Sequence, residues 1–348
     1  MADARISFGI RIPPCEAVRE VARAARAAEA GGFSHVWTLD SPFLAGRLLD
    51  PYLTLGACAG TTTRVRLGVA VTNAVSRHPL ATACAALTLD EIAEGRTILG
   101  IGSGDSAMRT VGLAAADAHG THGDRRARLR ETIGILRAIL AGEAVQLGEC
   151  RFQLEKPRRA LPIYVAATGP RMLEMAGELA DGVIIQVGIH RACVEWALDH
   201  IRRGAVRAGR DPAGIDIVCS TFAAVGDDRR LAIDRARPLT AWFYAVAPEL
   251  VEISGVRVGQ RQPARPVFPD ISHAADHDEA MVEAKRYVAD EAVEKLCLVG
   301  PPTECVARIR ELATLGVNQV FLRHYLTYRI PWELIEVASR EIIPAFQP

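Results

Sequence analysis

The chain has 348 residues, with 41 Lys or Arg balanced by 41 Asp or Glu, 49% hydrophobic residues and 5% aromatics. Zero net charge excludes a general electrostatic pull toward nucleic acid or anionic membrane, and the high apolar content excludes a disordered or collagen-like chain. The length admits two domains, but an α/β barrel of this size is routinely one.

In chain order, residues 5–10 predict a first strand. Residues 16–30 predict a helix with Val18, Val21, Ala22 and Ala25 on one face, ended by Gly31 and Gly32. Strands follow at 34–39, 65–72 and 96–101, separated by a helix at 79–93. A helix at 124–140, a strand at 162–166, a helix at 171–180 and a strand at 182–186 continue the alternation. A helix at 191–208, a strand at 215–224, a helix at 303–315 and a strand at 318–322 complete it. The strands are continuous apolar runs, as expected when both faces are buried. Their alternation with helices demands parallel crossovers, and eight of them predict a closed (β/α)8 TIM barrel. A ninth apolar run at 296–299 reads as an extended lead into the last helix, outside the barrel. Residues 237–290 break the rhythm with a Pro/Arg-rich and a polar stretch. They read as an insertion over the carboxyl ends of the strands, within a single domain spanning 1–348.

Eight Cys occur, none in C-x-x-C spacing, so buried reduced thiols in a cytoplasmic protein are expected. The first residues show no signal peptide, and no apolar run reaches the roughly 18 residues of a membrane span. His119 with His122, and His273 with His277, each lack a clearly placed third ligand, so no metal site is expected. Arg125, Arg126, Arg128 and Arg130 read as a solvated or salt-bridged helix face.

In a barrel the chemistry lies at the carboxyl ends of the strands. The second strand ends in Trp37-Thr38-Leu39-Asp40-Ser41. The third runs through Ala70, Val71, Thr72 and Asn73 to Arg77-His78-Pro79. The fourth runs through Gly100, Gly102, Ser103, Gly104 and Asp105, the fifth through Ala167, Thr168, Gly169 and Pro170, and the sixth ends near Gln186. The glycines at 100, 102 and 104 lack the offset of a dinucleotide fingerprint. They mark either a tight turn or a close approach of a flat cofactor at Gly102 and Gly104. Asp105 either moves a proton or caps the next helix. Thr168 and Pro170 suit a capped helix start, whose N–H groups and dipole also suit a phosphate, with Arg171 as an added cation.

Taken in order, Val36-Trp37-x-x-Asp40, Gly68 to Asn73 with Arg77-His78-Pro79, Leu99 to Ser106, and Ala166 to Pro170 followed by Ala176 to Gly182 carry a resemblance. So does Leu298-Val299-Gly300. The sequence resembles the bacterial luciferase-like superfamily of flavin and deazaflavin oxidoreductases, nearest to its methylenetetrahydromethanopterin reductase group. The resemblance implies a barrel binding coenzyme F420, with hydride transfer to or from a C=N, C=C or C=O carbon of a small substrate. The alternatives are an FMN-dependent monooxygenase fed by a separate flavin reductase, and a non-catalytic flavin-binding protein. It also implies a non-prolyl cis peptide at Ala70–Val71 behind the ring. Asp40, Thr72, Asn73, Ser103 and Asp105 would line the ring's polar edge, and Thr168, Gly169 and Pro170 would meet the phosphate. Ala167, Gly102, Gly104 and Gln186 complete the expected cofactor set, with Asp105 and Asp40 as the catalytic candidates and a homodimer as the assembly. Some deazaflavin enzymes place a catalytic His directly after the second-strand Asp. Here that position is Ser41, which leaves Asp105 as the better acid.

Overall fold

Each apolar run becomes a parallel strand because the amphipathic run after it packs back over the sheet and returns the chain to the same end. A computed structural model describes residues 6–41, 49–104, 122–155, 157, 159–259 and 277–347. The first part reads β1 (Ser7–Arg11), α1 (Val18–Ala30), β2 (His35–Thr38), α2 (Pro51–Ala59), β3 (Arg66–Asn73), α3 (Pro79–Ile92), β4 (Thr97–Gly102) and α4 (His122–Ala141). An antiparallel hairpin, β5 (Val145–Leu147) and β6 (Cys150–Phe152), precedes β7 (Ile163–Ala167), α5 (Pro170–Leu179), β8 (Gly182–Ile185), α6 (Arg191–Arg207) and β9 (Asp216–Val225). The chain closes with α7 (Arg229–Val246), α8 (Pro248–Ile253), α9 (His277–Ala284), α10 (Asp290–Leu296), β10 (Leu298–Gly300), α11 (Pro302–Thr314), β11 (Gln319–His324) and α12 (Trp332–Val337).

The strands β1-β2-β3-β4-β7-β8-β9-β11 form a closed parallel barrel, sealed by β8 on β9 and β11 on β1. This is the (β/α)8 fold expected from the sequence. The ninth run, β10, pairs with the overhang of β9 at Ala223–Val225, beyond the stretch that β8 occupies, so it adds a strand without entering the barrel.

Two cores result. Trp37, Ile98, Tyr164, Ile184, Val218 and Phe321 fill the lumen, with Ala70, Val71 and Ala166 partly exposed above them. A larger core lies between barrel and helices. Trp37 sets the lumen's packing: its indole Nε1 donates to Gln319 Oε1 at 2.8 Å. A Cβ on Gly9 would come within 2.7 Å of that nitrogen, and one on Gly68 within 2.2 Å of the ring. Outside the barrel, Glu29 at the end of α1 accepts from the amides of Thr63, Arg64 and Val65 and so fixes the entry to β3.

Six of these helices were not foreseen: α2, α7, α8, α9, α10 and α12. α2 is started by Asp50, whose side chain accepts from the Leu53 amide at 3.0 Å, with Pro51 in the first turn. α7 runs straight through residue 237, so the segment 237–290 begins inside a helix. Pro238 lies inside that helix, and buried Arg237 beside it donates to Val288 O at 2.6 Å and pairs with Asp234 and Asp290, which anchors the helix locally. Residues 260–276 of that segment lie outside the described residues.

No helix among the described residues is long and apolar enough to cross a membrane. All eight Cys are free; Cys58, Cys193, Cys219, Cys297 and Cys305 are buried. Burial pushes the thiols of Cys58, Cys193 and Cys219 up to about 12, so these stay protonated and unreactive. The Arg-rich face of α4 meets α5 through the ion pair of Arg130 with Glu178.

Candidate active site

The site is built from β3 outward. Pairing of β3 with β4 slips between Val69 and Thr72, and the peptide Ala70–Val71 within that bulge is cis, where the sequence resemblance had put it. The glycines of β4 answer this bulge. A Cβ on Gly100 would lie 2.1 Å from Val69 O, one on Gly102 would lie 2.7 Å from Val71 Cγ2, and one on Gly104, at φ +78°, would lie 2.9 Å from Asn73 Cβ. The bareness of β4 at Gly100 and Gly102 is therefore required by the protein's own third strand.

Thr72 and Asp40 are brought together across the β2–β3 pair: Thr72 Oγ1 donates to Asp40 Oδ2 at 2.7 Å. The same oxygen accepts from Arg77 Nε at 2.8 Å, and the other end of that guanidinium pairs with Asp50. Arg77 also lies over the Tyr52 ring, 5.1 Å from its centroid. Burial alone lowers an arginine's pKa, but the bonds to Asp50 and the charge of Asp40 win and hold Arg77 above its ordinary value. Asp50 is pushed up by burial, yet the Leu53 amide and Arg77 bring it below the carboxylate range. Burial raises Tyr52, and the charge of Asp40 raises it further. Asp40 is buried, and one of its oxygens is committed to a hydroxyl and a permanent cation. These contacts orient β3 and Arg77.

Asn73 is also spent locally. Its side-chain oxygen accepts from the amides of Val75 and Ser76 at 2.9 and 2.8 Å, shaping the turn after β3. At the end of β7, α5 starts from Gly169 with no side-chain cap, so Thr168 does not cap it as the sequence allowed. Gly169 faces open space: a Cβ there would meet nothing within 4 Å. Pro170 fills the first turn and Arg171 is exposed. Across the mouth, Gln186 Oε1 accepts from Arg323 Nη1 at 2.7 Å. Ser103 and Ala167 sit at the ends of β4 and β7 as expected. Asp105 and the His119 and His273 positions lie outside the described residues, as do the side chains of His122 and His277. Among the described residues no cluster of three or more His, Cys, Asp or Glu could hold a metal.

Sequence reasoning missed Asp50, Tyr52 and Arg323, all of which join this mouth from distant parts of the chain. Asp50 was detectable as an Asp-Pro helix start; the others had no local signal. A depression of about 560 Å3 lined by Glu29, Ser34, His35, Arg64, Arg66 and Gln347 sits at the amino ends of β2 and β3. Barrels do not place their chemistry at that end.

The site thus lies at the mouth of a parallel (β/α)8 barrel with a bulged third strand, a glycine-bare fourth and an uncapped helix start after β7, the end at which such barrels place their chemistry. The family model described as luciferase-like monooxygenase matches residues 5–319, and the chain belongs to that family. It is 33% identical over 322 residues to a 5,10-methylenetetrahydromethanopterin reductase of Methanolobus tindarius, covering 90% of this chain and 93% of that protein. It is 32% identical over 268 residues to an F420-dependent hydroxymycolic acid dehydrogenase of Mycobacterium tuberculosis, covering 72% and 71%. Its fold superposes on the coenzyme F420 dependent tetrahydromethanopterin reductase from Methanopyrus kandleri with a TM-score of 0.78 at 26% identity, covering 99% and 100% of the two chains.

Proposed function

We infer that this chain is an oxidoreductase that binds coenzyme F420 at the barrel mouth and exchanges hydride with a small organic substrate. The kinship with F420-dependent reductases and dehydrogenases supports the cofactor. The observation that carries the fit is the cradle itself. Ala70, Val71 and Ala166 give a partly exposed apolar floor above a filled lumen, and Gly169 leaves open space at an uncapped helix start. A flat ring suits the first and a phosphate the second.

When bound, F420 supplies a carbon that gives or accepts hydride; the protein supplies orientation, exclusion of water and a proton. Thr72, Asn73, Ser103 and Gln186 are the polar groups proposed for the ring's edge, and Ala167, Thr168, Gly169 and Pro170 for the phosphate. Asp40 holds β3 and Arg77 in place, which leaves Asp105, beyond Gly104, as the proposed acid. The substrate carbon is a C=N, C=C or C=O centre. The chain is proposed as one barrel domain in which 237–290 covers the mouth, working in the cytoplasm as a homodimer.

The family description also supports a second reading, an FMN monooxygenase supplied by a separate reductase. Titrating the purified protein with F420 and with FMN, followed by cofactor fluorescence, separates the two. F420 is expected to saturate and FMN to bind at least about tenfold more weakly. Saturation by FMN with no uptake of F420 refutes the first reading. In the turnover assay Asp105→Asn is expected to cut the rate about 100-fold or more with F420 affinity unchanged.

A further inference from the structure

The barrel mouth holds two arginines that the cofactor cradle does not use. Arg11 ends β1 and Arg323 lies near the end of β11. These strands pair in parallel with Ser7 opposite Gln319 and Ile10 opposite Leu322, and one more step of that register sets Arg11 against Arg323. Both face the lumen side. A side chain on Gly9, two residues before Arg11, would run into Trp37 and Gln319, and Phe321, two before Arg323, belongs to the lumen core. In the ring of strands β11 lies opposite β4, so the pair faces the bulge and glycines from across the mouth.

Among the described residues their surroundings contain no compensating charge. Arg11 is 6% exposed, and its Nη2 is buried without a hydrogen-bond partner. Its nearest ionisable neighbours are Tyr328, Cys15 and Arg323, while Glu16 is occupied by the amide of Ile330 at 2.9 Å. Arg323 is fixed by Gln186 at 2.7 Å and by stacking 4.1 Å from the Phe222 centroid, both neutral partners. No carboxylate among the described residues forms an ion pair with either. Two like charges placed side by side, one buried and the other partly buried, oppose folding unless an anion joins them.

We propose that Arg11 and Arg323 form a receptor for an oxyanion, a carboxylate or phosphate carried by the substrate, opposite the cofactor cradle. The inference rests on the reading of the mouth as a hydride-transfer site and names its substrate class as anionic. A guanidinium fork suits either oxyanion because two N–H groups meet two oxygens at once. Burial, offset only in part by Tyr328 and Cys15, pushes Arg11 down to about 10, and burial with the charge of Arg11 brings Arg323 well below its ordinary value; an anion between them opposes both shifts.

The test is thermal unfolding of the whole protein with inorganic phosphate or succinate, at ionic strength held constant with chloride. Both probes are expected to raise the Tm of the wild type, with and without saturating F420. In Arg11→Met the probe-free Tm is expected to rise, because an uncompensated charge is gone. The probe's apparent affinity is expected to fall about tenfold or more, with F420 affinity unchanged. Arg323→Lys, which keeps the charge but loses the fork, is expected to weaken succinate with little change in fold. A lower probe-free Tm in Arg11→Met, or no Tm rise of the wild type with either probe, overturns the proposal. So does displacement of the probes by F420, which assigns the arginines to the cofactor's own anionic groups. Failure of F420 to bind while the probe effect persists overturns the cofactor reading and leaves the receptor standing.

Discussion

Asp40 shows how little a residue type says about its work until its neighbours are known. Its chain position beyond the second strand marks it as a site carboxylate, and Thr72 and Arg77 take the same oxygen and make it an anchor for both. Removing Arg77 leaves that carboxylate buried and unpaired. Arg77→Met is expected to cost about 3 kcal/mol in urea unfolding, and the added change Asp40→Asn to recover part of it. His35 carries a different consequence. It is buried at the amino end of β2, with Nδ1 2.8 Å from Ser34 Oγ and its ring stacked near Trp37. Burial first, then the charge of Arg66, pushes it down to about 3. The folded protein thus binds fewer protons than the unfolded chain between about pH 3 and 6.5. The neutral ring's contribution is full above about 6.5 and is lost as pH falls, by up to about 1.4 kcal/mol per unit. Urea midpoints at about pH 7, 6 and 5 are expected to decline less steeply in His35→Phe, by about one proton; an unchanged slope refutes the burial of a neutral His35.

Among the elements, the clearest packing constraint is the crossing of α5 and α6. A Cβ on Gly177 would lie 2.1 Å from Ile201 O, and one on Gly204 would lie 1.9 Å from Glu174 O, so these backbones touch only because both residues are bare. Gly204→Ala is expected to destabilise by about 1–3 kcal/mol or more. Gly134, exposed in α4 with nothing near its missing Cβ, is expected to stabilise on change to Ala by about 0.5–1 kcal/mol. Calorimetry of both variants checks the pair of opposite signs. The eight barrel strands were legible because burial on both faces writes a strand as an unbroken apolar run. Helix α7 was not, because Pro238 breaks the pattern while the bonds of Arg237 that compensate it reach to Val288 and Asp290. In the site, the order of motifs disclosed Asp40, Thr72 and Asn73. The pairing of Arg77 with Asp50, and of Arg11 with Arg323, depends on strands and helices far apart in sequence, which periodicity cannot join. The glycines of β4 were seen, but their cause lies in the neighbouring strand at Val69 and Val71.

For the molecule as a whole, zero net charge fits a protein whose electrostatic needs are local. Several surface arginines are answered by carboxylates, as Arg207 is by Glu174 and Glu178 and Arg229 by Glu294 and Glu304. The arginines at the barrel mouth divide into two kinds. Arg77 is matched twice by carboxylates on the cradle side, and on the far side Arg11 and Arg323 have no carboxylate partner among the described residues, Arg323 being held by neutral Gln186. On the proposed reading, that asymmetry gives the mouth one side for the flat cofactor and another for an anionic substrate. A crystal structure of the protein with F420 tests this arrangement most directly. It is expected to show the ring against Ala70–Val71 and the phosphate at Gly169, with Arg11 and Arg323 facing the ring from across the mouth. F420 seated away from that bulge, or with its phosphate on Arg11 and Arg323, would contradict the account.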